Sequence, residues 1–294
     1  MSPVLAVRCE SCGGAVAWSA GKPAPACVFC GATALETVTP PEGVETPEGF
    51  LPFEVDENQA HTLFKKRASA SIWYPSDLRH ARVALRAVLV PAWSWSSRLE
   101  THYTAIVTAM QTRSNKRPVA DEETWSAAGV LVPSSQTLSR TELSAISPFQ
   151  SGKLRPVAET ELPYEMGSLT RTAARAQGEE GMGRLHMERL RERLGAHSVA
   201  TSTLFHELQG GPLLLPVWIG AYRRGDAMHR VVINGQTGSI VGSFPYSWTK
   251  IAAATVAVLV ILAVCAGVLG TAGLVGGVMS MPSGSTPAQQ RGHR

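Results

Sequence analysis

Two Cys-x-x-Cys pairs near the N-terminus, two distant apolar blocks of one pattern, and a charge-free run near the C-terminus together predict an α+β chain. They predict an N-terminal zinc ribbon, then an α+β core with a pseudo-repeated helix and antiparallel-sheet unit, then a C-terminal transmembrane helix. The expected boundaries are 1–36 for the ribbon, 37–49 for a Pro/Glu-rich linker and 50–249 for the core. The core would divide into halves of about 50–135 and 136–249, with an anchor at 250–278 and a short polar tail at 279–294.

The 294 residues carry a formal charge of +4, too little to name a partner by itself. Cys9-Glu10-Ser11-Cys12 and Cys27-Val28-Phe29-Cys30 are each followed by glycine. Two residues between thiolates let one tight turn aim both sulfurs at one ion, and two such turns supply a tetrahedron that suits Zn²⁺. Cys9, Cys12, Cys27 and Cys30 are therefore read as ligands of one structural ion, with Val4–Val7 and Ala15–Trp18 as the strands carrying the first turn. A pair of disulfides is the plainer alternative, and a cytosolic setting opposes it.

The linker, TVTPPEGVETPEG, is broken by Pro40, Pro41 and Pro47, so the ribbon is expected to move as a separate head. The core opens at Phe50-Leu51-Pro52-Phe53. A helix is expected from Asp56 to about Ala68, with Ala60, Leu63 and Phe64 on one face. A second is expected from a Ser76-Asp77 cap to about Val88, where Leu78, Ala81, Leu85 and Val88 keep helical spacing. Lys65, Lys66, Arg67, Arg79, Arg82 and Arg86 concentrate charge here, the three arginines from 79 onward sharing a helix face. They are read as a solvated face, as a contact for anionic lipid, or as a contact for nucleic-acid phosphates.

Val88-Leu89-Val90-Pro91-Ala92-Trp93-Ser94-Trp95 reads as an apolar strand with Arg98–Met110 as its partner. Leu214-Leu215-Pro216-Val217-Trp218 repeats the block after another helical region, which suggests a repeated unit with the proline at an edge or bulge. Residues 168 to about 194 read as a polar-rich helix, broken near Gly178–Gly183, with Leu185, Leu190 and Leu194 inward. Met228–Asn234 and Ser239–Ser243 read as a hairpin around Gly235-Gln236-Thr237-Gly238, the glycines allowing positive φ.

Ile251–Met281 contains no charged residue, and its densest part, Ile251–Leu269, is long enough to cross a bilayer core as a helix. A buried core helix is the alternative. Tyr246, Trp248 and Lys250 precede it as an interfacial belt with a snorkelling lysine, which would place the hairpin close to the bilayer surface. Flanking cations lean towards the N-terminal side inside. The expectation is a single span in the inner or plasma membrane with a cytosolic N-terminal part, and a returning hairpin is the other arrangement.

Catalytic motifs do not assemble in the sequence. Ser151-Gly152-Lys153-Leu154 lacks the upstream glycine and the hydroxyl of a phosphate loop, and His206-Glu207-Leu208-Gln209-Gly210 has glycine where a zinc protease needs its second histidine. His102 and His186 read as lone polar residues. The chain is therefore expected not to be an enzyme, and no small-molecule substrate is inferred.

The CxxCG pairs, Trp73-Tyr74-Pro75-Ser76-Asp77-Leu78, the two Pro-x-Trp blocks, Val130-Leu131-Val132-Pro133 and Asn234–Trp248 resemble bacterial zinc-ribbon membrane proteins. Those proteins are often labelled primosomal-protein-N′ or replication-factor-Y helicase-like. The resemblance implies a role beside SPFH (band-7) and phage-shock-type envelope-stress proteins, as membrane-bound recruiters. The expected function is thus a non-enzymatic membrane-anchored adaptor whose ribbon engages partner proteins, possible SPFH-domain proteins among them. The alternative is a membrane-tethered nucleic-acid-binding protein, which the ribbon's few cations, Arg8 and Lys22, argue against.

Overall fold

The computed structural model describes residues 4–11, 14–19, 26–27, 29, 32–39, 42–108, 116–160, 162–225 and 227–278. The chain falls into two compact units, Met1–Ala70 with Ser76–Phe244, and Ser71–Pro75 with Pro245–Arg294. It is a mixed α+β structure with one large mixed sheet and a C-terminal apolar helix.

In the first unit β1 (Val4–Cys9) lies between β2 (Ala15–Ser19) and β3 (Leu35–Val38), all antiparallel. The expected linker thus yields residues 37 and 38 to a strand. The chain beyond is tied to the core. Arg171 clasps Glu45 with two bonds of 2.7 and 2.6 Å, and Glu48 N–H donates to Pro212 C=O. β4 (Gly49–Phe50) leads to α1 (Glu57–Ala68), capped by Asp56 in a capping box with Gln59, an arrangement worth about 1 kcal/mol. Ala60, Phe64 and Ala68 form its buried stripe.

The second expected helix is replaced. Ser76–His80 makes a 3-10 turn, and β5 begins at Val83 and runs unbroken to Thr108. Val83 and Leu85 are buried while Ala84 is exposed, so the segment obeys the two-residue period of a strand. Leu85 keeps helical spacing with Ala81 and Val88 and strand spacing with Val83 and Ala87; pairing with β9 selects the strand. Arg98 onward is not a partner strand but the continuation of β5. Its partners are β6 (Lys116–Pro133) on one side and β9 (Ala196–Arg224) on the other. Between β6 and β9 come α2 (Arg140–Ile146), β7 (Arg155–Pro156), β8 (Tyr164–Glu165) and α3 (Arg171–Leu194). β10 (Ala227–Asn234) and β11 (Ile240–Gly242) follow.

β5 and β9 are the two central strands. Val90 pairs with Leu215, Pro91 with Leu214 and Leu89 with Pro216, so the two proline blocks meet about a local two-fold. β4 pairs parallel with β9 at Leu214, and β8 pairs parallel with β5 at Leu89, placing Phe50 and Tyr164 in corresponding positions. The prolines are therefore central, not at an edge. Ser134 N–H donates to Pro91 C=O and Gly235 N–H to Pro216 C=O, so each proline's missing N–H faces the end of an outer strand. The carbonyl left over is taken elsewhere: Ser134 C=O accepts from Ser168 N–H, and Gly235 C=O from Glu54 and Val55 N–H. No acceptor is orphaned, which is what allows proline in such a place.

Val88-Leu89-Val90 and Leu214-Leu215 are fully buried because the sheet is covered on both faces here, by α2 on one and by Phe50, Phe53 and Tyr164 on the other. Further along, β6 and β9 both bulge beside residues 96–98 of β5, through Gly129 (φ +67°) and Glu207 (φ +52°). Beyond the bulges α3 covers one face. It is unbroken through Gly178–Gly183, and its buried stripe is Ala174, Gly178, Met182, His186 and Leu190. Leu185, expected inward, is 45 % exposed. The small residues sit where Trp95 needs room.

The β10–β11 hairpin pairs Val232 with Val241, but only one of its end glycines is there for its φ. Gly238 is at +75°, whereas a Cβ on Gly235 would lie 2.5 Å from the Phe53 ring. The second unit consists of α4 (Trp248–Val278) and the segment Ser71–Pro75.

Candidate functional site

Cys9 and Cys27 make matching backbone bonds. Cys9 N–H donates to Gly14 C=O at 2.9 Å and Cys27 N–H to Ala32 C=O at 2.7 Å, each bond spanning five residues. Cys9 is opposite Leu35 in the β1–β3 pairing, and Glu10 N–H reaches Ala34 C=O, so the chain leaving the second turn runs beside the first. Both cysteines are buried. Cys12 and Cys30 lie outside the described residues. Among the described residues no group of three or more metal-ligating side chains forms.

This element is joined to the core rather than set apart. β2 pairs with β8, and β8 with β5. Phe29 packs on the main core and lies against Gly14, where a Cβ would come within 2.6 Å of the ring. Arg86 donates to Cys27 C=O. Arg86 is therefore removed from the expected basic face and serves the cysteine turn.

The other cations divide as well. Lys65 and Lys66 are exposed in the last turn of α1, and the Arg67 guanidinium sits 5.0 Å from the centre of the Phe244 ring. Arg79 lies in the 3-10 turn and Arg82 just before β5, so the shared helix face does not exist. What the fold gathers instead is Lys65, Arg79 and Arg82 with His61 and His80, around an open cleft of about 700 Å³ without a lining carboxylate. The histidines were not singled out by sequence, since only the return of the chain against α1 brings them in. The cleft can attract an anion.

In the second unit α4 is long and apolar enough to cross a membrane; over Trp248–Cys265 its mean hydropathy is 2.2 and none of the span is buried. Lys250 does not simply snorkel. Its Nζ donates to Tyr74 C=O at 2.7 Å and Ile72 C=O at 3.2 Å. Ser247 N–H donates to Trp73 C=O at 2.8 Å, and the Tyr74 and Tyr246 rings lie 5.6 Å apart. Ile72, Trp73, Tyr246 and Trp248 remain exposed, at 73, 38, 57 and 80 %. The expected interface residues thus gain a collar, Ser71–Pro75, whose sequence signal was an apolar aromatic cluster between charged stretches.

Glu165 and His186 are buried elsewhere in the first unit. Glu165 accepts from Gln136 and Thr137 N–H at 2.7 and 3.0 Å and from the hydroxyls of Ser135 and Thr137. Burial raises its pKa, and those bonds oppose the rise. His186 stacks on Trp125 at 5.0 Å, with neither ring nitrogen bonded. Burial lowers its pKa; Glu123 opposes this, and Arg189 and Arg193 reinforce it. Of the rejected motifs, Lys153 pairs with Glu54, and His206 lies in β9 beside Glu100 at 3.1 Å. Comparison with protein-family models, curated proteins and solved structures returns no match to the chain.

Proposed function

We propose that the chain is a non-enzymatic, membrane-anchored adaptor that recruits partner proteins to the cytosolic face of a bacterial inner membrane. The observation that carries this reading is α4 with its collar: an unburied apolar helix whose entry carries exposed Trp248, Tyr246, Trp73 and Ile72. Such an arrangement suits the interface of a bilayer. In this reading Cys9, Cys12, Cys27 and Cys30 hold one structural Zn²⁺ and shape the recruiting surface. The resemblance to bacterial zinc-ribbon membrane proteins favours partners of the SPFH and envelope-stress type. Lys65, Arg79 and Arg82 suit anionic lipid headgroups, each cation contributing ~1 kcal/mol near such a surface.

The test is affinity capture from detergent extracts of cells bearing the wild type or the Cys9→Ser/Cys12→Ser variant, with zinc content measured on both. The expected result is one zinc per wild-type chain, loss of zinc in the variant and loss of specific partners. Identical partner lists would remove the recruiting role of the ribbon.

A further inference from the structure

β6 is an edge strand; among the described residues it pairs with β5 alone. Its two halves meet that exposure differently. Lys116 to Glu123 carries Lys116, Arg117, Asp121, Glu122 and Glu123, with Pro118 among them. Charge and proline of this kind keep an edge from adding further strands. Ala128 to Val132 has no such protection, being uncharged and free of proline. Alongside it runs a cleft of about 670 Å³, walled by α2, α3 and the Pro148–Phe149 turn.

The register fixes which backbone groups face the cleft. Ser134 N–H bonds to Pro91 C=O, and antiparallel bonding alternates along the pair. Val132 and Val130 therefore turn their N–H and C=O to β5, and Leu131 turns its own outward. Pro133 adds an outward C=O but no N–H, and the Gly129 bulge interrupts the other end, its N–H bonded to Ser96 Oγ. The usable edge is short. The charged side chains lining the cleft are Arg140 and Arg184, with no carboxylate among its lining residues. Arg140 bridges to Gln177 on α3 at 2.6 Å; Arg184 is 3.8 Å from Glu180 and about half exposed.

We propose that this cleft binds a short, extended, acidic segment of a partner protein by strand addition to Gly129–Pro133. The main chain of Leu131 and Pro133 supplies backbone bonds, and alternate apolar side chains enter between Leu143, Phe149 and Leu185. Arg140 and Arg184 receive the carboxylates. This site deepens the adaptor reading and rests on it.

The experiment is selection of a random ten-residue peptide library on the full chain in detergent micelles. Selected peptides are expected to carry Asp or Glu among alternating β-branched or aliphatic residues. Arg140→Glu/Arg184→Glu weakens a selected peptide at least tenfold, and N-methylation at alternate peptide nitrogens does so on the unaltered protein, independently of how the variant folds. No acidic enrichment, insensitivity to charge reversal in a variant with wild-type circular dichroism, or insensitivity to methylation would each overturn the proposal. Partner lists that depend on the ribbon cysteines, without acidic peptides, leave the adaptor and remove this site. Acidic peptides with cysteine-independent partner lists keep this site and remove the recruiting role of the ribbon.

Discussion

The indole of Trp95 lies against Gly178 so closely that a Cβ there would stand 2.7 Å from Cδ1. On the strand side Gly210 is as tight, its absent Cβ 2.3 Å from Cε3, and the Trp93 ring is stacked 5.6 Å away. The indole is thus held between α3 and β9. Gly178→Ala therefore destabilises the chain by about 1–3 kcal/mol through overpacking, outweighing a helix-propensity gain of up to ~1 kcal/mol. Gly181→Ala, whose nearest neighbour would be 3.6 Å away, keeps the gain and stabilises. Denaturant unfolding in detergent compares the two; equal signs would contradict the packing argument.

His186 is a source of acid sensitivity. Its folded-state pKa is depressed chiefly by burial, with Arg189 and Arg193 adding to the effect against Glu123. Its contribution to stability is therefore present above an unfolded pKa of about 6.5 and is lost as pH falls through the folded value. His186→Phe, which preserves the stack on Trp125, flattens the stability profile below about pH 6.5. An unchanged slope in unfolding free energy would exclude His186 as its origin.

Glu165 has the opposite sign. Burial raises its folded pKa, so its contribution is fully present below the unfolded value and lost as pH rises through the folded one. Relative to Glu165→Gln, the wild type is most stable at the acid end and loses ground from the ordinary carboxylate range upward. The difference between the two unfolding curves across that range is the measurement; a difference independent of pH would show that Glu165 does not titrate there.

Lys250 holds the collar through Tyr74 and Ile72 C=O. Lys250→Met keeps the apolar stem and removes the donors. Bonds to a charged donor are worth about 1.5–3 kcal/mol, less at this partly exposed site, so protection of the Tyr74 and Ser247 amides drops about tenfold. Hydrogen exchange in micelles reads both; unchanged protection would mean that the Tyr74–Tyr246 contact suffices.

Local chemistry explains why some features were legible before folding. The Asp56–Gln59 capping box needs residues three apart, and the apolar run needs only its own length and lack of charge. The stretch after Ser76 was not legible, because Leu85 keeps helical spacing with Ala81 and Val88 and strand spacing with Val83 and Ala87. Arg86 went to the Cys27 carbonyl, a partner 59 residues away in sequence that no spacing rule foresees. The prolines at 91 and 216 were visible as a repeat, but their meaning depended on where β6 and β10 end.

By itself the sequence determined the α+β class, the apolar C-terminal helix and the first core helix, since each rests on neighbours along the chain. Tertiary structure decided what required distant partners. It made Val83–Thr108 one long strand, joined the cysteine turns to the core sheet, and dispersed the expected arginine face while gathering Lys65, Arg79 and Arg82 with two histidines. It also left Ala128–Val132 as an uncharged edge beside an arginine-lined cleft. Strand pairing is non-local: a residue's face, and the direction of its free N–H, are set by the strand opposite.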